Sequence, residues 1–246
     1  MIKAYLSFVL SSLFLPVLCQ QQVLDVNAPG APGSSYGSVS FYDPSTLGIR
    51  KEEHTNYSDM TGTPFWDDHW NAAHLFMKNG GVVKVNQVKI NLYSSDIYYI
   101  YNGVELEAEK GSVQKVLLFK QQDTSKILAL FEYYPDVTVN NSPSPVYYRV
   151  LNTGKVRLLL LQKSLVNTAP YDPLTGIAKK NFYAKTYYAL SNNGNISYLK
   201  TLDHTNLFTI LSPDAASEAW LKKNNNRLKK EAEVLSFLTY YNNEYK

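Results

Sequence analysis

The stretch IYYIYNGVELEA, residues 97–108, decides the fold class of this 246-residue chain. Its first five residues are β-branched or aromatic, and Asn102-Gly103 is a turn sequence typical of two-residue hairpins. Val104, Leu106 and Ala108 then alternate with glutamates. A period of two places such side chains on one face of a strand. The stretch therefore predicts an antiparallel β-hairpin.

The same signals on both sides of the hairpin predict further strands. Upstream, the apolar side chains change from odd positions, Val83 and Val85, to even positions, Val88 and Ile90. This change predicts a β-bulge near Asn86-Gln87. Downstream, strands are predicted over 113–120, 126–134, 146–152, 156–166, 182–190 and 196–201. Tight turns between short strands favour antiparallel order.

After residue 201 the apolar period becomes helical. Leu207 to Leu211 predicts a short helix, and Ser212-Pro213 predicts the N-cap and first position of a second one. That helix should end at Asn224 to Asn226, and the apolar residues from Leu228 to Tyr241 outline another. The sequence thus predicts an α+β fold, mainly antiparallel β as a sandwich or open barrel, with two or three C-terminal helices.

Composition divides the chain into four segments. Lys3 and the apolar run from Ala4 to Leu18 predict a signal peptide over residues 1–20, because the run is too short to span a bilayer. We expect cleavage near Cys19 or Gln20 and a secreted or periplasmic protein with no transmembrane helix; lipid anchoring at Cys19 is the alternative. Residues 21–63 read as a Pro/Gly/Ser-rich flexible leader, 64–201 as the antiparallel β domain, and 202–246 as helices packed on that domain.

Cysteine content and charge exclude several kinds of chemistry. Cys19 is the only cysteine, so its removal with the signal peptide leaves no disulfide, thiolate metal site or cysteine nucleophile. Loss of Lys3 leaves 23 basic against 21 acidic side chains, a net charge of +2. This balance predicts no attraction to nucleic acid.

Histidines and acids cluster locally before the first long strand. His69 and His74 lie on either side of Trp70, with Asp67 and Asp68 upstream. Side chains five residues apart do not converge on one face of a strand or helix, so no metal and no cofactor are predicted. Neither a Gly-X-Ser-X-Gly elbow nor a phosphate-binding loop occurs. The structural alternative is that Phe65, Trp66 and Trp70 plug one end of the sheet.

Tyrosine is the unusual residue, with 20 copies, several of them adjacent pairs. In a strand, neighbouring tyrosines point to opposite faces, so each pair sends one ring outward. Outward rings can form a stacking platform for sugars or peptides; alternatively, aromatic residues are simply favoured in strands. The predicted ligand-binding residues are Tyr98, Tyr99, Tyr147, Tyr148, Tyr187 and Tyr188.

Two functional hypotheses follow. The first is an exported, non-enzymatic binding or interaction module of unknown ligand, with an envelope component, a carbohydrate or a protein as its partner. The alternative is a hydrolase with an unrecognised site around His69, His74 and nearby acids.

Three sequence features carry a family resemblance. GTPFWDD at 62–68, the Asn102-Gly103 hairpin, and the tail from LKKNN at 221–225 to YYN at 240–242 resemble a family of uncharacterised secreted β-rich proteins of Gram-negative bacteria. The resemblance covers most of residues 62–246 and implies a signal peptide, a β-rich domain and a lysine-rich C-terminal helix that closes on a Tyr-Asn pair. It implies no established activity and assigns no functional residue.

Overall fold

The described part of the chain forms a long antiparallel sheet followed by three helices. The computed structural model describes residues 49–50, 57–120, 123–135, 138–139, 142–143, 146–171 and 178–244. The predicted signal peptide and most of the predicted leader lie outside the described residues. The prediction of a mainly antiparallel α+β fold with C-terminal helices is confirmed.

The described strands are β1 (Ile49–Arg50), β2 (Met60–Thr61), β3 (Asn71–Met77), β4 (Val82–Asn91), β5 (Asp96–Tyr101), β6 (Val104–Ala108), β7 (Val113–Lys120), β8 (Asp123–Tyr134), β9 (Thr138–Val139), β10 (Ser142–Pro143), β11 (Val146–Val150), β12 (Val156–Thr168), β13 (Lys180–Asn192) and β14 (Asn195–Leu199). The helices are α1 (His204–Leu211), α2 (Ala215–Lys223) and α3 (Glu231–Glu244).

The strand order of the main sheet is β1-β6-β5-β4-β3-β7-β8-β11-β12-β13-β14. Every neighbouring pair along this order is antiparallel, whereas β2 lies parallel to the start of β13. The strands β9 and β10 form a separate two-stranded ribbon. Most connections join strands that are adjacent in the sheet, as expected when short turns link sequential strands.

The hairpin predicted from residues 97–108 is confirmed as β5 and β6. Tyr101 and Val104 are cross-strand partners, so Asn102 and Gly103 are the two residues of the turn. Both have positive φ, +50° and +76°. Left-handed backbone at both positions matches the right-handed twist of the flanking strands, and Asn-Gly tolerates it best.

The predicted bulge in β4 is also confirmed. Val85 pairs with Ala73, but Val88 pairs with Asn71, so β4 uses one extra residue between these pairs. The extra residue restores the valines on both sides of it to one face of the sheet. As a result, Val83, Val85, Val88 and Ile90 all belong to one hydrophobic cluster.

The sheet has two faces, and both are buried along its central strands. The face that we call the inner face carries a cluster from β3 to β8 and β11, with Leu75, Tyr99 and Phe131 at its centre. The same face of β12 to β14 packs against the three helices through Leu158, Leu190 and residues such as Phe237. The opposite face, the second face, carries a third cluster: Val146, Tyr148, Leu159, Leu161 and Ala189.

Two predicted helix starts were wrong. Ser212 is not the N-cap of α2, because its left-handed backbone, with φ of +46°, ends α1 and its N–H donates to Phe208 O at 2.8 Å. Asp214 caps α2 instead and accepts a hydrogen bond from Ser217 N at 3.0 Å. Likewise, Leu228 precedes α3, since its φ of +57° is incompatible with a helix and its side chain is buried in the core.

The segment 57–66, which we call the strap, joins strands that lie far apart in the sheet order. Trp66 N donates to Ile90 O at 2.9 Å in β4, and the Trp66 indole donates to Gln162 Oε1 at 3.2 Å in β12. Its middle residues form β2 and pair with β13. Gly62 has φ of +82° and lies where a Cβ would meet Phe182 O at 3.0 Å, so the close approach requires glycine.

A buried ion cluster ties β7, β8 and β12 together on the second face. Glu132 accepts hydrogen bonds from Arg157 at 2.8 Å and from the Tyr134 hydroxyl at 3.0 Å, and Lys115 Nζ lies 3.2 Å from its other oxygen. Burial alone would raise the pKa of Glu132, but the charges of Arg157 and Lys115 hold it below its usual value. Burial beside this carboxylate raises the pKa of Tyr134 to about 12.

Replacing Glu132 with glutamine should lower the free energy of unfolding at pH 7, because the ion pairs with Arg157 and Lys115 are lost. We expect a loss of about 1–3 kcal/mol, since both basic side chains stay partly exposed and keep some hydration. The pKa of Glu132 is lower in the folded state than its reference value of 4.5. Its contribution is therefore present above that value and is lost as the pH falls through the folded-state pKa. Urea unfolding from pH 7 to pH 3 should show a steeper loss for the wild type than for E132Q. Exposed Glu109, substituted E109Q, is the control; parallel pH profiles for wild type and E132Q would contradict the assignment.

The side-chain amide of Asn242, near the end of α3, forms hydrogen bonds with the start of β12 of the kind that a neighbouring strand would form. Its Oδ1 accepts from Val156 N at 2.8 Å, and its Nδ2 donates to Val156 O at 2.8 Å and to Thr153 O at 3.2 Å. The approach is so close that a Cβ on Gly154 would lie 2.5 Å from Nδ2 of Asn242. This amide fixes the C-terminal helix to the sheet.

Substitution of Asn242 with alanine should lower the free energy of unfolding by about 1–2 kcal/mol, because the buried Val156 N–H loses its acceptor. Asn243 is exposed and adjacent, so N243A is the matched control and should change stability by less than about 0.5 kcal/mol. Equal effects of the two substitutions in urea unfolding would show that the Asn242 amide does not stabilise the contact.

Candidate functional site

The six predicted tyrosines separate between the two faces of the sheet, as strand alternation requires. Tyr99 and Tyr147 belong to the inner-face core, and Tyr148 belongs to the second-face cluster. Tyr98 lies on the opposite face of the sheet from Tyr99 and packs against Phe65, with the two ring centroids 6.0 Å apart. All four have at most 7% of their surface exposed, so their rings serve as core.

The hydroxyls of two of these tyrosines are also engaged inside the protein. Tyr147 donates to Val113 O at 2.9 Å, and Tyr148 donates to the Tyr198 hydroxyl at 2.8 Å. Burial raises the pKa of Tyr147 and of Tyr148, so both stay neutral. These two tyrosines stabilise the sheet, and a ligand surface must use other residues.

Tyr187 and Tyr188 lie in the last long strand and are half-buried. Tyr188 packs on the helix side, where its hydroxyl donates to Glu231 Oε2 at 3.0 Å. Tyr187 lies on the second face at the margin of the buried cluster. Of the six tyrosines, Tyr187 is the one that borders an accessible part of that face.

That accessible part is the half of the β12–β13 pair that ends at Thr168 and Lys180, which we call its outward half. The two strands are partners over thirteen residue pairs, from Val156 with Asn192 to Thr168 with Lys180. The pairs Leu161–Tyr187, Lys163–Lys185 and Leu165–Tyr183 follow each other on the second face. We call Lys163, Tyr183, Lys185 and Tyr187 the lysine–tyrosine surface.

Two lysines lie directly opposite each other at the centre of this surface. Direct cross-strand partners have Cβ atoms about 4.5–5.5 Å apart, and like charges at that distance destabilise a sheet. Lys185 Nζ lies 5.3 Å from the centroid of the Tyr187 ring, over which it rests. Burial lowers the pKa of Lys163, which is partly covered by its neighbours. The tyrosine at the outer end, Tyr183, has 47% of its surface exposed.

Short-range sequence patterns do not reveal this surface, although the local charge carries a signal of it. Residues 156–200 carry six basic side chains, Arg157, Lys163, Lys179, Lys180, Lys185 and Lys200, against one acidic side chain, Asp172. The overall charge balance hides this excess. The pairing of β12 with β13, which places Lys163 against Lys185, follows only from the register of the folded sheet.

The predicted histidine cluster is split in the structure. His69 Nδ1 lies 2.9 Å from Asp67 Oδ1, but the same oxygen accepts from His69 N at 2.9 Å, so the contact belongs to a local turn. The His69 side chain is 77% exposed. Burial alone would raise the pKa of Asp67, but hydrogen bonds from His69 and Asn71 lower it.

His74 lies apart from this turn, on β3. Its ring contacts Phe119 with centroids 4.7 Å apart, and burial together with the Lys84 charge lowers its pKa. Among the described residues, no three His, Cys, Asp or Glu side chains come together as a metal site would require. The structure thus joins Asp67 with His69 and does not add His74 to them.

No family model, characterised protein sequence or solved structure matches this chain. The resemblance to secreted Gram-negative proteins therefore stays a prediction. Within the part of the chain that the structure describes, none of the helices has the length and apolar character needed to cross a bilayer.

K185E should be more stable than K185Q by about 0.5 kcal/mol at low salt, because both variants lose the Lys185–Tyr187 contact and only glutamate gives Lys163 an oppositely charged cross-strand partner. Lys180 on the same strand faces Thr168, so K180E compared with K180Q is a control of equal charge change. In urea unfolding, the gain of K185E over K185Q should shrink in 0.5 M salt. No gain at low salt would contradict the proximity of the two lysines.

Proposed function

We propose that the protein is an exported, non-enzymatic binding module whose contact surface is the lysine–tyrosine surface of β12 and β13. The observation that carries this proposal is that one face of the β12–β13 pair holds Lys163, Tyr183, Lys185 and Tyr187. Export is supported by the N-terminal sequence pattern, which is typical of a cleaved signal peptide.

The β12–β13 pair is suited to binding because its outer part keeps a continuous pairing register and is accessible. Its ladder continues to Thr168 and Lys180, beyond the β13–β14 pairs, which end at Tyr188 with Leu199. Tyr183 supplies a flat apolar ring with a polar edge, which contributes large contact area at low cost in side-chain entropy. A surface of this kind recognises a ligand without catalytic groups.

A hydrolase is the second candidate, and the Asp67–His69 contact at 2.9 Å is the observation that favours it. A carboxylate that orients a histidine is one part of many hydrolytic sites. The binding proposal is preferred because the Asp67 oxygen also accepts the backbone N–H of the same histidine, which explains the contact as a turn.

The proposal is tested with full-length protein produced in a Gram-negative host and recovered from the extracytoplasmic fraction. We expect a product that lacks about the first twenty residues and is retained on immobilised polysaccharides drawn from a neutral and acidic panel. Y183A should lose retention. Tyr198 is 43% exposed, close to the 47% of Tyr183, and lies on β14 outside the β12–β13 pair, so Y198A is the matched control and should be retained.

Four results would contradict the proposal. Retention of Y183A equal to that of wild type would exclude the lysine–tyrosine surface as the contact surface. Failure of the wild type to bind any member of the panel would exclude polysaccharide binding by this surface. Release of shortened saccharides, detected by mass spectrometry and abolished in H69A, would instead establish the hydrolase. Mature protein that still begins with Met1 in the cytoplasm would disprove export.

A further inference from the structure

We infer that the open edge of β13 binds a short, acidic, extended peptide of a partner protein as an added strand. The site is the stretch 182–187 of β13, which we call the edge gap. It differs from the lysine–tyrosine surface, because backbone groups at the edge of the strand make the contact and not the side chains on its face. The inference goes beyond the proposed function and does not rest on it.

Two strands pair with one edge of β13 and leave the gap between them. β2 pairs with Lys180 and Asn181, and the pairs with β14 begin at Tyr188. Both strands lie on the edge opposite β12, since β12 occupies the other edge over the whole length of β13. Among the strands that the structure describes, none pairs with residues 182–187 on this edge. Six residues of extended backbone span about 20 Å, so the gap has room for one short strand.

The backbone of β13 directs hydrogen-bonding groups into this gap. Ala169 N donates to Lys179 O at 2.8 Å, and the β12–β13 register then continues without a shift. In an antiparallel pair, alternate residues turn their backbone groups toward the partner strand. The odd-numbered residues of β13 therefore bond to β12. The even-numbered residues Ala184 and Thr186 present their N–H and C=O groups to the gap.

The gap is accessible from both faces of the sheet. Residues 183–186 are four consecutive exposed residues, whereas residues 189–191 of the same strand are buried. Lysine side chains often protect open strand edges. Lys185 Nζ instead lies over the ring of Tyr187, two residues further on the same strand, at 5.3 Å from its centroid. The Lys185 side chain thus runs along β13 and leaves the edge open.

The boundaries of the gap select its occupant. An open edge strand can pair with the same strand of a second copy. β13 has thirteen residues, so a second β13 in the gap would overlap β2 and β14 of the first copy. The ring of Phe182 further closes one end, because it packs against Tyr57 at 5.4 Å and Tyr93 at 5.6 Å. A short extended peptide fits, and its main chain supplies the missing hydrogen bonds.

The charge around the gap favours an acidic peptide. Residues 178–200 carry four lysines and no Asp or Glu. Lys180 precedes the gap and Lys200 follows the end of β14, so the two lie at opposite ends of it, and both are exposed. Within the part of the chain that the structure describes, no ion pair joins either of them to an acidic side chain. Complementary charge on a partner raises its association rate and its specificity.

The test uses the full-length protein and a fluorescein-labelled six-residue peptide in which valine alternates with glutamate. Two further peptides carry backbone N-methyl groups on the odd or on the even residues. A peptide that adds as a strand turns only one of its edges toward β13. One methylated peptide should therefore bind at least about tenfold more weakly than the other in fluorescence anisotropy. No binding of the unmodified peptide, or equal affinity of the two methylated peptides, would overturn the inference.

A substitution in β13 tests the same contact from the protein side. A184P removes the N–H that faces the gap and no hydrogen bond to β12, and proline is tolerated on strand edges. We expect the affinity for the peptide to fall at least about tenfold. A184S keeps the N–H, so it is the matched control and should stay within about twofold of wild type. Unchanged affinity in folded A184P would argue against strand addition.

Hydrogen exchange on the wild type keeps the test decisive if A184P does not fold. The Ala184 and Thr186 amides should gain protection when the peptide binds. The Lys185 amide is already bonded to β12 and should not change. Peptide binding without added protection at Ala184 and Thr186 would place the contact elsewhere and overturn the inference.

The remaining outcomes separate the partner class and the proposed function. A peptide of alternating valine and lysine should bind more weakly than the glutamate peptide at low salt, and equal binding would refute the acidic partner. A dimer in sedimentation that A184P dissociates would replace the peptide with a second copy. If no peptide binds while the polysaccharide panel retains the protein, this inference fails alone. If the peptide binds and the panel retains nothing, the polysaccharide proposal fails alone.

Discussion

The ladder between β12 and β13 is the constraint on which the rest of the structure depends. Its thirteen residue pairs make it the longest pairing among the described strands. Near its start, Leu158 and Leu190 face the helices, while Leu159 and Ala189 face the second-face cluster. A strand pair buried on both sides holds its register firmly, because a slip of one residue would exchange the two faces.

The polar contacts around this ladder have a common role, which is to satisfy groups that the packing leaves buried. Arg157 at the start of β12 balances the buried Glu132, and Asn242 supplies an acceptor to the Val156 N–H. At the middle of the ladder, the strap joins β12 through the Trp66–Gln162 hydrogen bond. Each contact removes an unsatisfied group that would otherwise cost more than the bond itself contributes.

The outward end of the ladder differs on its second face, whereas its other face still carries the buried Ser164 and Phe182. Two lysines face each other where apolar or oppositely charged partners would be more stable, and an exposed tyrosine lies beside them. Local rules of pairing are often broken at sites that serve binding, since stability is given up there for recognition. The pairing of Lys163 with Lys185 departs from the local rules in this way, and it supports the proposed binding function.

The sequence alone determined the class of fold and much of its local detail. The Asn102-Gly103 turn and the bulge between Val85 and Val88 follow from short-range sterics and the two-residue period of a strand. The site depended on contacts between distant residues. Alternation predicted one outward ring in each tyrosine pair, but the folded chain buries both rings of Tyr98-Tyr99 and of Tyr147-Tyr148. A strand is covered on two sides only when other parts of the chain reach it. Lys163 and Lys185 became neighbours through a register that no local pattern specifies, so only the tertiary structure decided where the lysine–tyrosine surface lies.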